Sequence, residues 1–258
     1  DQVAKETGKE YLFISRSDST LRGHYPLETT ILKDEYEKNT GKKIDGEVLC
    51  PFFKEGGRFT IDDVHYVQYD DTLVPAAETE FAKDKTFGYT VSNLKEYVEE
   101  KTQGAYKKEN VTAISLENIR ELNYDKIEEQ LLAVEDFNKV IVNAIDYVDV
   151  KIFCVALFRA MKKGKNFMFR TAAAIVKVMG GVSNQPLLTR EQMVVKETDN
   201  GGIIVVGSHT DKTTRQMEKL RENKDIAFVE LNATLVNDEA AFAEEVERCL
   251  ALEEEYIS

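Results

Sequence analysis

The sequence is poor in the residues that staple small or secreted domains. Its three cysteines, Cys50, Cys154 and Cys249, are odd in number and scattered along 258 residues. They form neither a disulfide framework nor a CxxC zinc pattern, which points to a reducing compartment and a cytoplasmic protein. The three histidines, at 24, 65 and 209, share no ligand spacing, so no metal site is expected. Positive charge is also scarce: 34 basic residues face 47 acidic ones, a formal net charge of −13. That balance argues against nucleic acid or an anionic membrane as a partner and leaves room for a local basic pocket around a small anion. No apolar run approaches the roughly 20 residues of a membrane span, and the opening DQVAKETGKE is not a signal peptide. The sequence has no GxxxxGK(S/T) phosphate loop, GxGxxG, HExxH or GxSxG. The pairs Gly56-Gly57, Gly180-Gly181 and Gly201-Gly202 are too short for a nucleotide signature.

What is present is a chain 42% apolar, long enough to bury a full core as one large domain or two ordinary ones. Strand-length apolar runs alternate with helical patterns, which predicts an α/β fold. Its main element is an open, mostly parallel sheet with flanking helices. Strands are expected at Tyr11–Ile14, Glu47–Cys50, Val111–Leu116, Val140–Val142 and Phe167–Phe169, with a β-hairpin insertion from Val64 to Pro75 turning at Asp70-Asp71. The clearest helix carries Val150, Phe153, Cys154, Leu157, Phe158 and Met161 on one face, with Cys154 read as a small core residue. A boundary is expected between Gly181 and Gly202. Beyond it, strands at Ile203–Val206 and Ala227–Leu231, a helix at Thr213–Arg221 capped by Thr213, and a closing helix make the first βαβα unit of a second α/β domain.

Four segments carry polar chemistry. SRSDSTLRGH (residues 15–24) follows a strand, where ligands bind in open α/β sheets. There Arg22 offers a two-pronged clamp for a carboxylate, and Asp18 and Ser19 suit sugar hydroxyls. The plainer alternative is a polar loop with Asp18 or Ser19 as a helix cap. PFFKEGGRFT (51–60) offers Arg58 as a second anion clamp beside Gly56-Gly57, or is an ordinary loop before the hairpin. His65, alone in that hairpin, is read as structural. FRTAAA (169–174) places Arg170 beside a helix N-terminus that Thr171 can cap, a ready anion site, or a capped helix with a surface arginine. VGSHT (206–210) puts Gly207 and Ser208 in a strand-to-helix turn suited to phosphate or domain-interface contacts.

Together and in this order, the four segments resemble the four-carbon acid sugar kinase family. SRSDSTLRGH resembles its DSTLRG signature, and PFFKEGGRFTIDDVHYV its Pro-x-Phe…Gly-Arg-Thr segment and following hairpin. VNAIDYVDV with NFMFRTAAAIVKVMGG resembles the end of its first domain, Ala174 replacing a family serine, and VVGSHTDKTTRQME the entry to its second. The resemblance implies a two-domain α/β kinase. The first domain binds threonate, erythronate or an oxo-tetronate. The second binds ATP with Mg2+, and the γ-phosphoryl group passes to the acid's terminal hydroxyl. It places Asp18, Ser19, Arg22 and Gly23 in the acid-sugar pocket with Arg58 nearby, and makes Arg22 the leading candidate for the carboxylate. Arg170, Thr171, Gly207 and Ser208 become candidate anion or nucleotide contacts. The family's opening Asp-Asp-x-Thr-Gly-type loop and its later glycine-rich nucleotide motifs have no counterpart here, so no catalytic residue can be named. The expectation is an internal piece of a longer kinase, inactive alone. Residues 1–195 would be a sugar-acid-binding domain without its N-terminal unit, and 196–258 the incomplete start of a nucleotide-binding domain. The alternative is a non-catalytic sugar-acid-binding module. Homo-oligomerisation is left open.

Overall fold

The apolar runs pair as five parallel strands: β1 (Ile14–Arg16), β2 (Gly46–Cys50), β6 (Thr112–Ile114), β7 (Asn138–Val142) and β8 (Phe167–Thr171), in the order β1-β8-β2-β7-β6. The computed structural model describes residues 2–194, 201–208 and 210–257, which divide into two compact units, Asp1–Asn184 and Gln185–Ser258. The sheet belongs to the first. The expected division between residues 195 and 196 falls outside the described residues.

Alternation along the strands sorts side chains between the two faces. Val48, Cys50, Val140, Val142, Phe167 and Phe169 form an apolar face, covered by α5 (Tyr124–Leu132), α6 (Tyr147–Lys162) and α7 (Ala173–Met179) through Ile127, Leu131, Phe153, Leu157 and Ile175. Asp146 caps α6 in a reciprocal capping box with Asp149. The buried stripe of α6 turns toward Ala156 and Ala160, whose small side chains allow close approach to the sheet. Phe158, expected on that stripe, is 45% exposed instead. Burial pushes the Cys50 and Cys154 thiols up to about 12, the behaviour of inert packing residues.

The opposite face carries Glu47, Leu49, Lys139, Ile141, Met168 and Arg170, a register set by the pairs Glu47–Lys139 and Leu49–Arg170. It is covered by α2 (Leu27–Thr40) and α3 (Leu94–Lys101), through Tyr36, Leu94, Tyr97 and Val98. A fully buried ion pair lies here, Lys139 Nζ 2.8 Å from Glu47 Oε2. Burial pulls the Lys139 ammonium below its usual range against the opposing pull of Glu47, and the ring of Phe137 lies 3.5 Å from the charge.

The inserted hairpin is a three-stranded antiparallel sheet. The segment at Arg58–Ile61, read as loop, is strand β3, joined to β4 (Val64–Tyr69) and β5 (Thr72–Pro75). The β3–β4 turn uses Asp62 and Asp63, both at positive φ (48° and 67°), the geometry that a two-residue hairpin favours. Thr60 and Ala144 exchange backbone hydrogen bonds of 3.1 and 3.0 Å, tying the insert to the end of β7. Strand β1 starts at Ile14 rather than Tyr11. Among the described residues it is an edge strand paired with β8 alone, while Tyr11 and Phe13 turn onto Tyr36 instead.

The second unit departs from expectation. Its helices form, α9 (Asp211–Leu220) and α10 (Glu239–Ile257), after a short turn α8 (Arg190–Met193). Among the described residues, Ile203–Val206 and Ala227–Leu231 are not strands. Ile203, Ile204 and Val205 remain 62%, 64% and 89% exposed. A lone parallel pair would leave an apolar face and both edges open, which is why these segments stay unpaired. Thr210, not Thr213, caps α9, accepting from the Thr213 amide. Among the described residues no helix is long and apolar enough to cross a membrane.

The buried pair gives a stability test. Lys139→Met alone strands the Glu47 carboxylate and is expected to cost about 3–5 kcal/mol. The double variant Glu47→Leu/Lys139→Met is expected to recover most of that loss or to exceed the parent, as measured by urea unfolding.

Candidate functional site

The loop after β1 sits at the carboxyl edge of the sheet, where β1, β8 and β2 end side by side. Ser17 N donates to Thr171 O (2.7 Å), and Ala172 N to Cys50 O (3.0 Å). Within the loop, four consecutive carbonyls are each captured by a buried side chain. His65 Nε2 donates to Ser19 O (2.8 Å), Tyr89 Oη to Thr20 O (2.8 Å), Tyr97 Oη to Leu21 O (2.7 Å) and Arg170 Nη2 to Arg22 O (3.1 Å). The Thr60 hydroxyl supplies the proton to His65 Nδ1 (3.0 Å), which leaves Nε2–H for Ser19. These bonds hold Leu21 at φ 68°, a left-handed conformation that costs a leucine roughly 1–2 kcal/mol. Gly23 sits at φ 123°, a conformation that residues with a side chain rarely adopt, so its backbone favours glycine, although a Cβ there would meet only the Arg170 guanidinium, with Nη2 at an ordinary 3.4 Å.

The loop borders a cleft of about 410 Å³, lined among others by Asp18, Arg22, Gly23, His24, Asp84 and Arg170. Arg22 Nε bonds Asp18 Oδ2 (2.9 Å) and Thr20 Oγ1 (3.1 Å), and its Nη1 lies 3.8 Å from Asp84 Oδ2. Burial alone would raise the Asp18 carboxyl, but hydrogen bonds from Thr20 and Arg22 and the Arg22 charge hold it below its usual range. Arg22 and Arg58 both lie on the Phe81 ring, at 5.1 and 5.5 Å. Arg58 Nη1 bonds Gly56 O, while its Nε is buried without a partner and burial lowers the guanidinium's pKa.

Arg170 differs from both. It is 5% exposed, packs on Tyr25 at 4.9 Å, and bonds Ser17 Oγ (2.9 Å) besides Arg22 O. Among the described residues no carboxylate lies within ion-pair distance of it, nor of Arg58, whereas Arg22, Arg120 and Arg159 of the same unit each have one.

The structure therefore brings Asp18, Arg22, Gly23 and Arg170 together around one cleft, with Ser19 in the same loop but outside the cleft lining, and sets Arg58 on the Phe81 ring. Thr171 does not cap α7. It is the last residue of β8, the cap position is Ala172, and Thr171 Oγ1 is buried without a partner. Gly207 and Ser208 lie in the second unit, where Ser208 Oγ accepts from Thr213 Oγ1 (2.8 Å); His209 lies outside the described residues. Tyr89, Tyr97, Phe81 and Asp84 are functional-site residues that the sequence reading above does not single out. Nothing in local spacing links residues 81–97 to a loop near residue 20.

His65 yields a pH prediction. Burial pulls its pKa from 6.5 down to about 4, so the folded chain holds it neutral while the unfolded chain protonates it. Its contribution is complete above pH 6.5 and is lost as pH falls toward 4, about 3 kcal/mol in all. Urea unfolding across that range is expected to show a steeper loss for the parent than for His65→Gln.

Comparison with known proteins supplies the family. Residues 1–179 match the model described as the sugar-binding N-terminal domain. The crystal structure of a Haemophilus influenzae protein of the DUF1537 family is similar with a TM-score of 0.51 and 19% identity, over 86% of this chain and 49% of that one. A Bordetella bronchiseptica DUF1537 protein, crystallised with citrate as a domain-swapped dimer, gives 0.46 and 20% over 98% and 53%. A Salmonella typhimurium LT2 protein carrying a tRNA synthase name gives 0.48 and 13% over 68% and 38%. The chain thus spans about half the length, or less, of these solved structures, and no curated protein sequence matches it. With residues 1–179 matching that model and a DSTLRG loop at the carboxyl edge of its sheet, the chain belongs to the four-carbon acid sugar kinase family, as a sugar-binding N-terminal domain.

Proposed function

We propose that the cleft between Asp18, Arg22 and Arg170 binds a four-carbon sugar acid such as threonate, erythronate or 3-oxo-tetronate, within a longer cytoplasmic kinase. The observation that carries this reading is Arg170. A guanidinium 5% exposed and without a carboxylate partner is costly to keep, all the more conspicuous in a chain with 47 acidic residues. The ligand's carboxylate is the counter-ion that completes it. Arg170 bonds Ser17 Oγ and Arg22 O and meets the Tyr97 hydroxyl, which leaves part of its five-donor fork for a carboxylate. This moves the carboxylate from Arg22, the residue favoured from the sequence, because Asp18 and Asp84 already balance the Arg22 charge. In this arrangement Asp18 accepts from sugar hydroxyls, while Arg22 and Gly23 shape the wall around them.

The described residues do not fit ATP or Mg2+. Among the described residues no group of three or more His, Cys, Asp and Glu converges on one point. The α9 N-terminus carries Asp211, the wrong charge for a phosphate, and Ser208 is bonded to Thr213. No phosphoryl-transfer step is assigned to Gly207, Ser208, Thr171 or any other residue here. In this reading ATP and Mg2+ bind elsewhere in the longer protein, which phosphorylates the terminal hydroxyl. The poor fit also favours a second reading, a module that holds the acid without turning it over.

Thermal unfolding with L-threonate and D-erythronate tests the binding claim. Saturation at about 100 times Kd stabilises by about 2.7 kcal/mol, and Arg170→Gln is expected to abolish the shift where Arg22→Gln only weakens it. No shift with any four-carbon acid would overturn the assignment. With ATP, Mg2+ and the acid, the chain alone is expected to show no turnover; a rate typical of enzymes would contradict the division of labour.

A further inference from the structure

Within the loop from Asp18 to Gly23 the side chains tie to one another, Thr20 Oγ1 and Arg22 Nε both donating to Asp18 Oδ2. Its backbone amides reach back only at long distance, Leu21 N to Asp18 O at 3.3 Å and Arg22 N to Asp18 Oδ2 at 3.4 Å. The carbonyls from Ser19 to Arg22 are held from outside, by donors on β4, on the segment before α3, on α3 itself and on β8. The donors also support one another. Tyr89 meets Tyr97 edge-on at 5.7 Å, Tyr97 stacks on Tyr25 at 5.6 Å, and the Tyr25 ring carries the Arg170 guanidinium. One aromatic stack therefore holds both the backbone that presents Asp18 and Arg22 and the cation at the cleft wall.

Resting on the sugar-acid reading above, we propose that His65, Tyr89 and Tyr97 are positioning residues of the acid site. Each fixes one carbonyl of the loop, and together they hold Asp18, Arg22 and Gly23 in register with Arg170. The Tyr89 and Tyr97 hydroxyls hold Thr20 O and Leu21 O; the Tyr97 hydroxyl also meets the Arg170 guanidinium, and that of Tyr89 reaches Ala76 O at 3.4 Å. Phenylalanine at either position fills the same space and keeps the ring contacts, so the substitution removes the hydroxyl's bonds and leaves the packing. With two adjacent bonds gone, the left-handed conformation of Leu21 rests on the flanking Ser19 and Arg22 carbonyl bonds alone, and the loop samples shapes in which Asp18 and Arg22 no longer face Arg170.

The test compares the parent chain, Tyr89→Phe, Tyr97→Phe, the double variant and Thr102→Val. The last removes a buried hydroxyl that bonds Val98 O beside the same helix without touching the loop. Three readouts are taken: the melting temperature, the affinity for L-threonate and D-erythronate by calorimetry, and amide hydrogen exchange of residues 18–24. The double variant is expected to bind at least tenfold more weakly and to exchange at least tenfold faster across 18–24. Thr102→Val is expected to lower the melting temperature with neither change. Unchanged exchange in the double variant would overturn the proposal, as would faster exchange with unaltered affinity. If the parent binds neither acid, the sugar-acid reading fails by itself. Exchange then decides the role of the tyrosines, faster exchange supporting it and unchanged exchange overturning it.

Discussion

Four carbonyl oxygens in a row, from Ser19 to Arg22, accept hydrogen bonds from four buried side chains, and much of the first unit is arranged to supply the donors. Arg170 requires β8 to lie between β1 and β2, so that its side chain emerges on the face the loop covers. Tyr97 requires α3 to pack on that same face. His65 requires the antiparallel insert to be anchored, which the Thr60–Ala144 bonds accomplish at the end of β7. A loop with a leucine in a left-handed conformation has no intrinsic preference for its shape. Elements far apart in the chain impose that shape, and strain is tolerated where ligand contact requires it.

Charge is distributed by the same logic. The two sheet faces differ sharply, one apolar and the other carrying Glu47, Lys139 and Arg170 among its buried positions. Lys139 and Glu47 neutralise each other at 2.8 Å. The Tyr25 hydroxyl makes a long 3.5 Å bond to Glu47, while its ring bears the guanidinium of Arg170. The polar face thus runs from a cation paired with a carboxylate in the core to a cation at the cleft that has hydrogen bonds but no carboxylate. Hydrogen bonds to neutral oxygens and an aromatic face lower the cost of keeping that cation without removing its need for an anion.

Much of the first unit was legible in the sequence because parallel strands buried on both faces read as apolar runs bounded by polar turns. β2, β7 and β8 are of this kind. Edge strand β1 is shorter than its apolar run, since Tyr11 and Phe13 serve a satellite cluster around Tyr36. β3 escaped because Arg58 and Gly57 suggested a loop. Its pairing depends on the double-aspartate turn at Asp62-Asp63 rather than on its own apolar pattern. The strands expected in the second unit had the right pattern and no partners, so pattern alone misled. At the site, the loop motif and its arginines were visible, but their ranking was not: Arg22 stood out by position, and only the ion-pair geometry shows that it is already neutralised. The tyrosine donors leave no local signal, since a tyrosine at helical spacing looks the same whether its hydroxyl meets solvent or a carbonyl 76 residues away in sequence.

The central claim is that a buried Arg170, hydrogen-bonded but without a carboxylate partner, is completed beside a clamped loop by the carboxylate of a small sugar acid. A crystal structure of the chain with L-threonate or D-erythronate tests it most directly. The account predicts the acid's carboxylate within hydrogen-bond distance of the Arg170 guanidinium, with the Ser19–Arg22 carbonyls still turned onto His65, Tyr89, Tyr97 and Arg170. An acid bound with its carboxylate elsewhere, or with those carbonyls released, would contradict it.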